Sequence, residues 1–270
     1  MTTDATTASL STEQVELFHR EGYLIQEGFL ESEFNSRLIA EVDELTRHRA
    51  NDDRRLIVSY PEMGLLTSHP PMMDRLEPLM GPRLAMHHIH AARHDAGDSG
   101  VYWHQDYEQE PQTNRSHTMV HVFYYLSGLN GEVGDLLLVP RSQTIVVGRG
   151  LELFGTEDLP GSICLNRLPT GSAVIVHSAL WHARRPKPGG ETRPRYFIDV
   201  SYCQHGVLWP AYRSDRTVNE INRMALANGL DRDGRYLHLY DSAQFFDRRE
   251  RLDRFDERNQ GSLLLQLHDE

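Results

Sequence analysis

Hydrophobic and polar positions along the first fifty residues predict a helix, a strand and a second helix. Ser11 and Gln14 have the spacing of a capping box, which begins a short helix that ends at Gly22. Residues 23–29 then predict a strand, and a second helix starts near Ser32. The apolar residues that recur at helical spacing along this second helix are Phe34, Leu38, Val42 and Leu45.

Between about residues 83 and 203 the pattern changes to short β-rich runs separated by Gly, Pro, Asn and Asp. Many short strands with turns between them are typical of a sandwich or a small barrel. No strand–helix alternation is visible, which disfavours a doubly wound sheet. The predicted strands cover residues 83–92, 101–106, 117–126, 135–140, 162–168, 172–177 and 195–203.

The chain therefore predicts one domain of mixed character, mainly β with flanking helices. We expect a flexible N-terminus over residues 1–10 and a single domain over 11–270. Within it we expect a helical part at 11–82, a β core at 83–205 and a helical C-terminal appendage at 206–270. In that appendage, apolar spacing after Asp215 predicts one helix, and Asp241 or Ser242 would cap a charged helix that runs through Phe255.

Composition narrows the class of protein. The 270 residues contain 28 Lys and Arg against 39 Asp and Glu, a formal net charge of −11, which disfavours binding to nucleic acid or to anionic membranes. No apolar run is long enough for a membrane helix, and the start of the chain does not resemble a signal peptide. Cys164 and Cys203 are too few for a disulfide framework, so we expect a cytoplasmic protein.

Histidine is abundant, with 15 residues, and this directs attention to metal binding. A non-haem iron site that activates O₂ uses two imidazoles and one carboxylate. On a strand, His-x-Asp places two such ligands on one side. Three pairs have the His-x-acid spacing, and only His104 and Asp106 lie in a strand-like segment. The other two are His19 with Glu21, at a predicted helix end, and His268 with Glu270, at the end of the chain.

A third ligand must come from elsewhere, and the distal half of the chain offers His177 and His182. After a turn rich in Pro and Gly, Arg193 and Arg195 precede the apolar strand 195–203. A histidine followed about a dozen residues later by such an arginine suits a 2-oxoglutarate site, because the guanidinium can hold the far carboxylate of that molecule.

Together these segments resemble the phytanoyl-CoA dioxygenase-like branch of the iron(II)/2-oxoglutarate-dependent oxygenases. The resemblance covers roughly residues 12–202. It is carried by four motifs: Trp-His-Gln-Asp at 103–106, Gly-Asp-Leu-Leu-Leu-Val-Pro-Arg-Ser at 134–142, the segment 177–182, and Arg-Pro-Arg at 193–195. The chain departs from the family's usual pattern in the central loop, where Gln143 stands for a histidine, and in residues 183–188.

The resemblance implies a double-stranded β-helix, the jelly roll of cupin-like proteins. It further implies iron(II) ligands at His104, Asp106 and His182, and an anchor for 2-oxoglutarate at Arg195. Arg193 remains the alternative anchor and His177 the rival third ligand. Arg184, Arg185 and Lys187 could line the mouth of the site, but a solvated loop is the expectation we favour for them.

The activity implied is hydroxylation of an unactivated C–H bond with O₂ as co-substrate and with release of succinate and CO₂. Asp106 disfavours halogenation, because halogenating relatives carry a small residue at this position. A small-molecule metabolite of secondary metabolism is at least as plausible a substrate as a CoA thioester. The alternatives are a cupin-type metalloenzyme that does not use 2-oxoglutarate, in which Arg195 has no evident task, and a non-catalytic small-molecule binding jelly roll.

Overall fold

The structure is a computed structural model that describes residues 9–48, 54–109, 115–146, 150–187 and 193–249. Five α-helices lie within these ranges: α1 (Thr12–Glu21), α2 (Ser32–Arg47), α3 (Pro61–Leu66), α4 (Pro70–Met80) and α5 (Asp215–Ala227). None of the described helices is both long and apolar enough to cross a membrane. Most of the predicted flexible N-terminus, the end of the predicted charged C-terminal helix, and His268 with Glu270 lie outside the described residues.

Eleven strands are found in the same ranges. They are β1 (Tyr23–Gln26), β2 (Leu84–His94), β3 (Val101–His104), β4 (Met119–Tyr125), β5 (Leu136–Val139), β6 (Ile163–Leu165), β7 (Ser172–His177), β8 (Trp181–Arg184), β9 (Arg195–Gln204), β10 (Trp209–Pro210) and β11 (Phe245–Phe246).

Nine of these strands form two antiparallel sheets. The larger has the order β1-β7-β4-β9-β2, and the smaller has the order β3-β8-β5-β6. Two packed antiparallel sheets with non-sequential strand order are the expected jelly roll, so the predicted fold class is confirmed. The remaining two strands, β10 and β11, pair in parallel and form a separate two-stranded sheet outside the jelly roll.

Strand β4 shows how the larger sheet separates a core from a site, because all seven of its residues are buried. Val120, Val122 and Tyr124 belong to the core on the helical side of the sheet. The alternate residues His121 and Phe123 line a cavity on the other side, as the period of two along a strand requires. The helices thus cover one face of the sheet, while the opposite face packs partly against the smaller sheet and partly lines the cavity.

Local sequence signals account for the first helix in detail. Ser11 Oγ accepts a hydrogen bond from the Gln14 backbone N–H, and the Gln14 side chain accepts from the Ser11 N–H, so the predicted capping box is confirmed. Gly22 ends the helix with φ of 86°, a conformation that favours glycine. The expected helix after Asp241 is wrong over residues 242–246: the Asp241 side chain does act as a cap, but of the 3₁₀ turn Ser242–Gln244, and β11 follows that turn directly.

Candidate active site

Three side chains from two adjacent strands converge at one end of the smaller sheet. His104 on β3 and His182 on β8 are paired directly across the strands, and their ring centroids are 4.2 Å apart. Asp106 follows β3, and its backbone N–H donates to the Ser178 carbonyl over 2.7 Å. Its carboxylate lies 3.5 Å from His104 Nε2 and 3.2 Å from His182 Nε2. The structure therefore brings together the three residues proposed as ligands from the sequence.

Hydrogen bonds to the far side of each ring fix which nitrogen faces the centre. His104 Nδ1 lies 2.7 Å from the Tyr102 carbonyl oxygen, and His182 Nδ1 lies 3.0 Å from the Leu180 carbonyl oxygen. A carbonyl only accepts, so each Nδ1 carries the proton and donates. Nε2 of each ring then faces Asp106, and in the neutral ring this is the nitrogen that carries the lone pair, as a metal ligand requires.

The electrostatics of the cluster suit a divalent cation. Burial lowers the pKa of His104, which keeps that imidazole neutral and able to ligate. Burial by itself disfavours the charged form of Asp106, but His182 and the other neighbouring imidazoles outweigh it and hold the pKa of Asp106 well below its usual range. Two imidazole nitrogens and one ionised carboxylate, all within 4.8 Å of one another, fit a divalent iron ion.

Arg195 reaches the same cavity from the start of β9. Its side chain is 2% exposed, and its guanidinium carbon lies 4.6 Å from the ring centre of Phe197 and 5.1 Å from that of Tyr125. Nη1 donates to His94 Nδ1 over 3.2 Å. Burial lowers the pKa of Arg195 to about 10, so it remains a cation at neutral pH. No carboxylate of the described residues pairs with it, and its Nε has no protein partner.

A cavity of about 790 Å³ connects this arginine with the three-residue cluster. Its wall also includes residues from β2, β4 and β9, the three strands at one side of the larger sheet. Those that supply polar atoms or rings, besides Arg195, are His88, His90, His94, His121, Phe123, Tyr125, Phe197 and Asp199. The volume is sufficient for a co-substrate together with a second small molecule.

A buried histidine–aspartate pair lies beside the cluster. His121 Nδ1 is 2.8 and 2.9 Å from the two carboxylate oxygens of Asp199, so it must carry a proton and donate. Burial lowers the pKa of His121, but Asp199 more than compensates, and the pKa rises to about 9. Nε2 lies 3.9 Å from an oxygen of Asp106 and has no hydrogen-bond partner among the described residues.

The alternatives left open by the sequence have different positions. Arg193 lies before β9 and is exposed, whereas Arg195 faces the cavity. The His177 ring stacks on Tyr107, with 5.8 Å between centroids, and its Nδ1 accepts from the Ala179 N–H, away from Asp106. Neither Arg193 nor His177 lines the cavity.

The expected solvated loop after His182 is wrong for two of its three basic residues. Arg184 is the last residue of β8 and lines the cavity, and its Nη2 lies 3.3 Å from Asp98. Lys187 is only 1% exposed. Arg185 agrees better with the expectation, since it pairs with Asp158 at 2.7 Å on the surface.

Sequence reasoning gave too little weight to the larger sheet's contribution to the site. The motifs in the sequence single out neither His88 and His90 on β2 nor His121 on β4. All three line the cavity, and Asp199 joins them. The signal was present as alternation, because polar residues recur every second position along strands whose other positions are apolar.

A jelly roll with two imidazoles, one carboxylate and a buried arginine in a single cavity has the features of the non-haem iron, 2-oxoglutarate-dependent oxygenases. The family model for phytanoyl-CoA dioxygenase matches residues 10–194. The chain belongs to that family, and it is accordingly a non-haem iron, 2-oxoglutarate-dependent enzyme.

Solved structures agree on the fold. The chain is similar to the non-haem α-ketoglutarate-dependent carbocyclase SnoK from nogalamycin biosynthesis, with a TM-score of 0.62, 16% identity, and coverage of 75% of this chain and 88% of that one. It is also similar to HygX from Streptomyces hygroscopicus, in a structure with nickel and 2-oxoglutarate bound (TM-score 0.60, 18% identity, coverage 75% and 90%).

A third similar structure is EctD from S. alaskensis with 2-oxoglutarate and 5-hydroxyectoine (TM-score 0.59, 18% identity, coverage 74% and 81%). Nothing matched among the curated proteins. At these identities the structures show a shared fold, and the family match carries the assignment to a class of enzyme.

Proposed function

We propose that this enzyme hydroxylates an unactivated C–H bond of a small-molecule metabolite while 2-oxoglutarate is converted to succinate and CO₂. His104, Asp106 and His182 would hold iron(II), which supplies the site for O₂ activation. Arg195 would hold the distal carboxylate of 2-oxoglutarate, so that its other end reaches the metal. The protein's own contribution is to orient both molecules and to exclude water.

The observation that carries this proposal is the buried guanidinium of Arg195 in the cavity of the cluster. A buried charge without a counter-ion is costly, and a carboxylate delivered by a ligand would compensate it. A cupin-type metalloenzyme that does not use 2-oxoglutarate has no evident task for such a cation, and the convergence of His104, Asp106 and His182 argues against a non-catalytic binding protein. The presence of Asp106, an anionic ligand candidate, supports hydroxylation over halogenation.

Succinate formation tests the proposal. The protein loaded with Fe(II) should convert 2-oxoglutarate to succinate and CO₂ only in the presence of O₂, and at a slow uncoupled rate without the primary substrate. Asp106→Ala should form no succinate above background. Succinate formation at the same rate in wild type and in Asp106→Ala would remove Asp106 from the site.

The similar structures make a bacterial secondary metabolite a reasonable substrate class. SnoK comes from nogalamycin biosynthesis, and EctD was solved with 5-hydroxyectoine. By analogy, we propose a compact metabolite as substrate here, in preference to a CoA thioester. Product analysis by mass spectrometry should show an added oxygen atom derived from ¹⁸O₂.

A further inference from the structure

The backbone that carries Asp106 is irregular. Strand β3 and its pairing with β8 end at His104, and residues 105–109 belong to no helix or strand. A regular ladder of backbone hydrogen bonds therefore ends just before this proposed ligand. Side chains beside Asp106 must then help to hold its carboxylate in place, because a metal ligand needs a fixed position.

Both chain neighbours of Asp106 contact the side chain of Arg115. Arg115 Nη2 donates a hydrogen bond to Gln105 Oε1 over 2.7 Å. The guanidinium carbon of Arg115 lies 5.5 Å from the centre of the Tyr107 ring, a distance at which a cation and an aromatic face attract each other. The Tyr107 side chain is buried. One guanidinium thus restrains the residues on either side of Asp106.

The same guanidinium is anchored on a turn of the backbone that is itself held in place. Arg115 Nη1 donates to the carbonyl oxygen of Gln143, which lies in the 3₁₀ turn Ser142–Thr144. The Gln143 side chain is buried, and its Nε2 donates to the backbone carbonyl oxygens of residues 19 and 20 over 3.0 and 3.2 Å. These two residues lie near the end of α1, so the turn is held by the first helix.

This turn also supports the segment that carries His182. Ser142 Oγ accepts a hydrogen bond from the backbone N–H of Trp181 over 2.8 Å, and Trp181 directly precedes His182 at the start of β8. Arg115 consequently links the backbone around Asp106 to the turn that holds the backbone around His182. The two segments are distant in sequence, so this link is one of the contacts that set their relative position.

Arg115 is held at some cost. Its backbone has φ of 46°, a left-handed conformation that is unfavourable for a residue with a Cβ. Burial lowers the pKa of its guanidinium, which remains protonated at neutral pH, and no carboxylate of the described residues forms an ion pair with it. Its Nε is buried and lacks a hydrogen-bond partner among the same residues. A strained, uncompensated cation adds little to the stability of the fold, whereas strain of this kind is common at functional sites.

Arg115 is not among the residues that line the cavity, so it would act on the metal through other residues. We propose that Arg115 is a positioning residue, which holds Asp106 and His182 in the relative position that iron(II) requires. This inference rests on the proposed function, because it takes His104, Asp106 and His182 as the iron ligands. Removal of the Arg115 side chain should weaken the metal site while all three ligands remain present.

Equilibrium titration with Fe(II) under anaerobic conditions tests the positioning role. Arg115→Met and Gln105→Leu should each weaken Fe(II) binding by about tenfold, as the loss of an outer contact of a metal site commonly does. Both variants break the same hydrogen bond, so the double variant should bind Fe(II) about as weakly as Arg115→Met alone, instead of about a hundredfold more weakly than wild type. Gln105→Leu retains the guanidinium and keeps the test available if Arg115→Met does not fold.

Arg141→Met is the matched control. Arg141 is also an arginine in the left-handed conformation, with φ of 70°, and it directly precedes the turn Ser142–Thr144. Its side chain is 67% exposed and pairs with Glu21 at 2.8 Å, instead of with a chain neighbour of Asp106. The Fe(II) affinity of Arg141→Met should therefore stay within about twofold of wild type.

Two further measurements separate a positioning role from a purely structural one. They are the thermal unfolding of the metal-free variants and the visible charge-transfer band that forms with 2-oxoglutarate under anaerobic conditions. At saturating Fe(II), Arg115→Met should give this band with wild-type intensity, because its three ligands are intact. Loss of the band at saturating Fe(II), or lower thermal stability with unchanged Fe(II) affinity, would overturn the positioning role.

Fe(II) binding also distinguishes a failure of this inference from a failure of the proposed function. Equal Fe(II) affinity in wild type and in Asp106→Ala would contradict the proposed function. A different result overturns only the positioning role: Asp106→Ala binds Fe(II) weakly, but Arg115→Met and Gln105→Leu bind it as wild type does. Additive losses of affinity in these two variants would also overturn it, because they would show that the two side chains act independently.

Discussion

Replacing Arg195 by glutamine should specifically weaken the binding of 2-oxoglutarate. The guanidinium is 2% exposed, lies against the rings of Phe197 and Tyr125, and has no carboxylate partner among the residues that the structure describes. The distal carboxylate of the bound co-substrate would therefore be its counter-ion. Removing one member of a buried, hydrogen-bonded charge pair costs about 2–5 kcal/mol.

At about 1.4 kcal/mol for each factor of ten, this cost raises the KM for 2-oxoglutarate by at least roughly thirtyfold. The fold itself should not suffer. In the ligand-free protein the substitution removes a buried cation that has no ion-pair partner, so the free energy of unfolding should stay the same or increase. A measurement of both quantities thus separates lost binding from lost structure.

The assay is succinate formation at varied 2-oxoglutarate, with thermal unfolding measured on the same preparations. Arg193→Gln is the matched control, because Arg193 is exposed and lies two residues earlier; its KM should stay within about twofold of wild type. The KM of Arg195→Lys should lie between those of wild type and Arg195→Gln, since lysine keeps the charge but lacks the planar guanidinium that binds a carboxylate through two hydrogen bonds. An unchanged KM in Arg195→Gln, or the larger effect in Arg193→Gln, would refute the reasoning.

Three further predictions concern the metal, pH and backbone. Asp106→Ala should reduce Fe(II) affinity by more than about tenfold in an equilibrium titration, and wild-type affinity would contradict its role as a ligand. Burial lowers the pKa of His69 to about 4, so the stability due to its neutral form is present above pH 6.5 and is lost toward pH 4. This loss of stability can reach about 1.4 kcal/mol per pH unit. In chemical denaturation, the stability of His69→Phe should therefore fall less steeply with falling pH than that of wild type. The same pH dependence of stability in both proteins would refute the prediction. Gly128→Ala should lower the free energy of unfolding by more than about 2 kcal/mol, because the new Cβ would overlap the Leu168 carbonyl oxygen. Gly97→Ala should lower it by about 1–2 kcal/mol, because Gly97 has a φ of +81° but no atom near the new Cβ. Equal losses of stability in the two variants would contradict this reasoning.

The fold could be predicted from the sequence where a local pattern of residues determines the secondary structure. Residues 172–177 were predicted as a strand from an apolar run after a glycine, and β7 has those bounds. Strand β8 was missed because its four residues have neither alternation nor β-branched side chains, and it is held by pairing with β3 and β5, which are distant in sequence. Helix α4 was not predicted individually, since it contains Pro78 in its interior.

The candidate site was predictable to the extent that motifs mark it. The sequence proposed His104, Asp106, His182 and Arg195, and the structure brings their side chains to one cavity. The contribution of Asp199 depends on which strands become neighbours in the larger sheet. Neither its partner nor its orientation can be deduced from spacing, because β4 and β9 come together from distant parts of the chain.

The central claim is that His104, Asp106 and His182 hold one iron(II) ion that 2-oxoglutarate chelates. Anaerobic addition of Fe(II) and then 2-oxoglutarate tests this claim most directly, because the chelate has a weak charge-transfer band in the visible range. The account predicts the band in wild type and in the exposed control His19→Gln, and its loss in His182→Ala. The same spectrum in wild type and His182→Ala would contradict the account.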